Sequence, residues 1–103
     1  MDKPFEWNPE KNSTLKALRG VSFEQVVRAI KSRRILFDGP HPNQSKYPNQ
    51  QMLIVSIRNY AYLIPYVEDD EKRFLKTIIP SRKLTKQFLL ESGGDEDEET
   101  SNR

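Results

Sequence analysis

The sequence has no cysteine and a single histidine, His41. A disulfide framework is therefore excluded, and a zinc or iron–sulfur centre would lack the thiolates and imidazoles it is built from. No metal and no cofactor is expected. Long apolar runs are missing too. Stretches such as Met52–Val55 fall far short of the roughly 20 residues that cross a bilayer. The opening Met1-Asp2-Lys3-Pro4 has neither the basic start nor the apolar core of a secretory signal. A cytoplasmic protein with no membrane partner is expected. Glycine is scarce, four in the chain, and no glycine-rich loop follows a strand, which removes the phosphate cradles of nucleotide-binding folds. There is no G-x-S-x-G nucleophile motif. The carboxylates of the body fall mostly at turns and helix ends, with no sign of an acid/base pair.

What is present is enough for one domain. The chain has 103 residues, 35% hydrophobic and 10% aromatic, which supports a single small core. The charge is unevenly spread. The last eleven residues carry Asp95, Glu96, Asp97, Glu98 and Glu99 against one arginine, which leaves 16 basic and 10 acidic residues in positions 1–92. A body with that surplus is predisposed to meet an anionic partner, nucleic acid or an acidic protein. Residues 93–103 have no apolar side chain and are expected to form a disordered acidic tail behind a folded domain over 1–92.

Periodicity sets out the elements. Phe5-Glu6-Trp7 reads as a short strand. Asn8 caps a helix with Pro9 at its first position, ending near Leu18 before Gly20. Ser22 and Gln25 have the spacing of a capping box, and Phe23, Val26, Val27 and Ile30 form one apolar stripe behind it. Arg28 and Lys31 lie on the other side of that helix and read as solvated. Strands are expected over Ile35–Asp38, Gln51–Arg58, Tyr60–Glu68 and Phe74–Ile79, with a proline-rich loop over Gly39–Asn49. Pro65 marks an edge or a bulge, and Ser81 caps a last helix facing inward through Leu84, Phe88 and Leu89. The order β-α-α-β-β-β-β-α predicts an α+β domain, helices packed on an antiparallel sheet.

Two regions hold candidate chemistry. Arg82 and Lys83 begin the last helix, where cations oppose the macrodipole at a cost of about 0.3–1 kcal/mol each. With Lys76 they are candidates for a phosphate-binding site, as an alternative to cations that merely solubilise the surface. The loop after Pro40 brings His41, a candidate general acid or base near neutral pH, and Lys46 beside Tyr47, a cation next to a stacking surface suited to a single-stranded base and its phosphate. Tyr60, Tyr62 and Tyr66 share parity and read as a core or partner-facing stripe.

Phe5-Glu6-Trp7-Asn8-Pro9-Glu10-Lys11-Asn12, Gly20-Val21-Ser22-Phe23-Glu24 and Lys76-Thr77-Ile78-Ile79-Pro80-Ser81-Arg82-Lys83-Leu84-Thr85, in that order, resemble the BrnT-type toxins of bacterial type II toxin–antitoxin pairs, a RelE/ParE-like group. The resemblance covers about residues 5 to 90. It implies a RelE-like fold and a metal-independent endoribonuclease that cleaves RNA through the 2′-hydroxyl and so inhibits translation and growth. It also implies a cognate antitoxin encoded alongside, with operator DNA engaged only through the toxin–antitoxin complex. Arg82 stands at the arginine of the closing run and Lys11 at the lysine of the opening motif. Two positions depart: Arg19 stands where many relatives have histidine, and Gln51 where an arginine commonly opens the first long strand.

On this reading Arg82 and Lys76 stabilise charge on phosphorus, and His41 or Lys46 carries the proton. Tyr47, Arg58, Lys83, Lys11 and Arg19 contact substrate. The competing reading is a catalytically inactive basic module that engages an acidic partner protein or operator DNA.

Overall fold

The computed structural model describes residues 3–90; the expected acidic tail lies outside them. Strand β1 (Phe5–Glu6) leads into helix α1 (Pro9–Arg19) and helix α2 (Phe23–Lys31). Strands β2 (Ile35–Pro40), β3 (Gln50–Ile57), β4 (Tyr60–Glu68), β5 (Arg73–Leu75) and β6 (Ile79–Pro80) follow. Helix α3 (Arg82–Thr85) then runs on into a π-helical stretch, Lys86–Leu90. Among the described residues no helix is long and apolar enough to cross a membrane.

The helical pair forms where its caps dictate. Asn8 Oδ1 accepts the N–H groups of Glu10 and Lys11, and Gly20 ends α1 at φ 68°, a left-handed position that glycine occupies without strain. Both halves of the expected capping box are made: Gln25 N–H to Ser22 Oγ, and Ser22 N–H to Gln25 Oε1. Between the helices, buried Asn12 donates Nδ2 to Glu24 at 2.8 Å and accepts the Phe23 N–H on Oδ1 at 2.8 Å. Trp7 stacks on Phe23, ring centroids 5.6 Å apart.

The domain is α+β, but its sheet is mixed, not purely antiparallel. The strand order is β1-β5-β4-β3-β2, and β1 runs parallel to β5, with Phe5 opposite Arg73. Parallel neighbours need a long crossover between them; here the rest of the sheet and both helices supply it. The expected strand Phe74–Ile79 is in fact two. Strand β5 pairs with Tyr66–Glu68 of β4, and β6 pairs with Tyr62 and Leu63 farther along the same edge. Pro65 sits at the break. Its carbonyl takes the Lys76 N–H on that outer edge, so its missing donor also faces outward and interrupts the outer ladder alone.

Two further boundaries move. Gly39 and Pro40 do not break β2, because they stay in register with Met52 and Gln51; the Phe37 ring lies over Gly39, where a β-carbon would come within 2.9 Å of it. Arg58 belongs to the β3–β4 turn, not to β3. Both Arg58 (φ 52°) and Asn59 (φ 65°) are left-handed, as a two-residue type I′ hairpin requires.

The core lies between the helices and one face of the sheet. Leu53, Val55 and Ile57 of β3 meet Phe23, Val26 and Ile30 of α2, with Ile64, Tyr66, Leu75 and Ile78 alongside. Complete burial of a side chain such as Phe23 stabilises the fold by about 1.5–3 kcal/mol. The tyrosine parity falls on this face: Tyr66 is buried, Tyr62 packs against the core, and Tyr60 meets Tyr62 edge to face.

Candidate functional site

The loop between β2 and β3 is a structured cap on one end of the sheet, held by its own side chains. Its neck closes where the His41 N–H donates to the Gln50 carbonyl at 2.9 Å. Inside, Gln44 donates Nε2 to the carbonyls of His41 and Gln50, and its Oε1 accepts the Asn49 N–H. Asn43 Oδ1 takes the Lys46 N–H, and the Asn43 carbonyl takes the Tyr47 N–H. Asparagine closes turns in this way because its side chain imitates a backbone carbonyl.

This folding gathers four of the residues expected to carry chemistry. The His41 and Tyr47 rings are 4.4 Å apart. The Lys46 ammonium stands 5.4 Å from the Tyr47 centroid, within cation–π range. Lys76 arrives from the end of β5, leaving the sheet opposite buried Leu75, and its ammonium meets Gln50 Oε1 at 3.4 Å. Gln50 thus links the loop neck to the edge cation. Tyr47 is 36% exposed, with His41 and Lys46 both beside its ring.

The imidazole has a defined hydrogen-bond state. The Asn43 N–H donates to His41 Nδ1 at 3.0 Å, so a neutral ring carries its own proton on Nε2. In that arrangement Nε2 is a hydrogen-bond donor and not a base.

The remaining expected residues lie elsewhere. The Arg82 and Lys83 side chains are exposed and make no hydrogen bond or ion pair with another described residue. Lys76 is anchored to β4 at Pro65 and Ser81 at Ala61, four residues or about 13 Å apart along the strand, so Arg82 and Lys76 do not share one position on the edge. Helix α3 is a single α-turn that continues into the π-helical stretch, so Arg82 and Lys83 stand in its first turn, against the helix dipole. Its structural anchor is Thr85, which accepts the Ala61 N–H at 2.8 Å and donates to the Ser81 carbonyl. Arg19 donates to the Ile78 carbonyl at 2.6 Å and Arg58 to the Gly20 carbonyl at 3.0 Å, both at the corner where the helices meet the far end of the sheet. Lys11 is exposed on the first turn of α1. Gln51, adjacent to Gln50, pairs with Pro40 and Tyr66.

Asn43, Gln44 and Gln50 organise the loop and were not singled out in the sequence. Their signal was the density of Asn and Gln between prolines, which marks turns without saying which amide closes which. Among the described residues no three of His, Asp and Glu come together as a metal site would require. Comparison with protein-family models, with curated proteins and with solved structures finds no match.

Proposed function

We propose that the chain is a toxin of the type II toxin–antitoxin kind that acts as an endoribonuclease, with its RNA site at the β2–β3 loop. The observation that supports this most is the convergence of His41, Lys46, Tyr47 and Lys76 at one end of the sheet. An aromatic ring with one ammonium over it, and a second ammonium tied to the loop neck through Gln50, is a side-chain set for a single-stranded base and the phosphates beside it.

Cleavage through the 2′-hydroxyl places extra negative charge on phosphorus and requires a proton for the departing 5′-oxygen as the P–O5′ bond breaks, while the 2′-oxygen, as it bonds to phosphorus, gives up its own proton to water. Lys76, held by Gln50, supplies positive charge for the first need. The His41 Nε2–H donates to a phosphoryl oxygen, so the proton for the leaving group falls to the Lys46 ammonium. Tyr47 stacks on the base. Arg82 and Lys83, farther along the β4 edge, take a neighbouring phosphate, and Arg19, Arg58 and Lys11 stand away from the reacting atoms. A cognate antitoxin is the expected protein partner, with operator DNA bound through that complex.

The binding-only reading draws on one observation, the Nδ1 bond that holds His41 as a donor. Inducible expression in a bacterium, with and without the neighbouring reading frame, separates the two. Growth arrest with cut RNA, relieved by the neighbour and lost in Lys76→Met at equal protein level, is the outcome expected of the toxin. Indifferent growth with soluble protein would leave the inactive module.

A further inference from the structure

A second cationic feature lies away from the loop. A cleft of about 200 Å³ opens between α2 and the turn end of the sheet, lined by Arg28, Arg34 and Arg58 with Gln25, Ser32 and Ser56. No carboxylate lines it. Neither Arg28 nor Arg34 uses its side chain in a hydrogen bond or ion pair with another described residue, and Arg58 commits only Nη2, to Gly20. Three arginines line one hollow, and like charges so grouped repel each other unless an anion sits among them.

Arg28 alone is accounted for by the C-terminal end of α2, where a cation complements the helix dipole. Arg34 and Arg58 are not on that helix. Arg58, moreover, takes a left-handed turn position at φ 52°, where glycine or asparagine is favoured and other residues are strained by about 1–2 kcal/mol. Arg33, directly before Arg34, is likewise left-handed at φ 62°, closing α2 with its N–H on the Ile30 carbonyl and the Arg34 N–H on that of Ala29. Arginine has been placed at two backbone positions that do not favour it.

We infer that this cleft is a binding site for a phosphodiester of a nucleic-acid strand, distinct from the proposed cleavage site. The three arginines reach it from a helix, from the connection between α2 and β2, and from a hairpin turn. A tetrahedral phosphate group accepts hydrogen bonds from such divergent directions, whereas a planar carboxylate is matched by a single fork. The serine hydroxyls and Gln25 supply further polar contacts, and Ala29 and Ile57 form an apolar wall for the sugar.

The test reads equilibrium binding of a fluorescein-labelled oligodeoxythymidylate of about twelve nucleotides to the full chain over a salt series. The probe lacks the 2′-hydroxyl, so the result does not depend on whether the chain cleaves RNA. Removing two of the three arginine contacts to that one phosphate with Arg28→Gln and Arg34→Gln together lowers the slope of log affinity against log salt by about 0.7, with affinity weakened about tenfold or more at low salt. The matching Arg28→Lys, Arg34→Lys double variant, with charge retained, keeps the slope. Unchanged slope and affinity in the glutamine variant would overturn the proposal, as would a lysine variant that loses as much slope as the glutamine one. Displacement of the probe by polyglutamate as readily, charge for charge, as by unlabelled oligonucleotide would overturn it in favour of an acidic protein.

Discussion

Asn12 holds the start of α2 from the middle of α1: its Oδ1 accepts the N–H of Phe23 and its Nδ2 reaches the Glu24 carboxylate. Two of the three motifs behind the family resemblance therefore meet each other, and they do so to build the helical corner. The Asn12 hydrogen bond, with help from the backbone and from Lys16, holds the Glu24 carboxyl below its ordinary range. Replacing Asn12 with leucine strands a buried backbone donor, and a loss of about 1–3 kcal/mol is expected in urea unfolding.

Thr85 has the matching role in the third motif, joining α3 to the edge of β4 through the Ala61 N–H. Thr85→Val removes the acceptor while keeping the shape, and about 1–3 kcal/mol of stability is expected to go with it. Thr85→Ser keeps the oxygen and is expected to lose less. Thermal melts of the two variants check the difference.

Tyr66 bridges across β3 to β2, its hydroxyl donating to Asp38 at 2.6 Å. Burial, and then the Asp38 carboxylate, push the phenol above its ordinary range. The folded chain thus keeps a proton that the unfolded chain releases near pH 10. Stability from this group is complete below that pH and declines above it. In an alkaline titration followed by phenolate absorbance, the Tyr66 signal is expected to emerge only with unfolding, and Tyr66→Phe removes that late step.

For the loop, Tyr47→Ala is expected to weaken binding of a short uncleavable RNA by about 1–3 kcal/mol, the worth of one stacked base. Gln50→Ala releases Lys76 without altering charge, so cleavage falls while the salt dependence of binding stays as it was. Fluorescence anisotropy and a gel-based cleavage assay read the two effects.

The helices, their caps and the main hairpin were legible because their signals are local: Asn8 before Pro9, Ser22 three residues before Gln25, alternation on either side of Arg58-Asn59. The pairing of β1 with β5 was not, since nothing in Phe5-Glu6 names a partner so distant in sequence. The split of the last strand was half visible in Pro65, whose effect depended on which edge its missing N–H would face. For the site, residue types picked out His41, Lys46 and Tyr47 as candidates, since imidazole, ammonium and phenol are the groups such chemistry uses. Only the fold brings Lys76 to Gln50 and leaves Arg82 on another stretch of the edge. The state of His41 hung on the Asn43 N–H, a backbone group that no side-chain pattern reveals.

The parallel seating of Phe5-Glu6 beside Arg73-Phe74 also bears on how the domain is assembled. Helical turns and the β3–β4 hairpin close over short stretches of chain, but β1 has nowhere to dock until β5 has been laid down, and such distant contacts are slow to form. While the chain is being synthesised, strand β1 must wait until Arg73 and Phe74 have emerged from the ribosome.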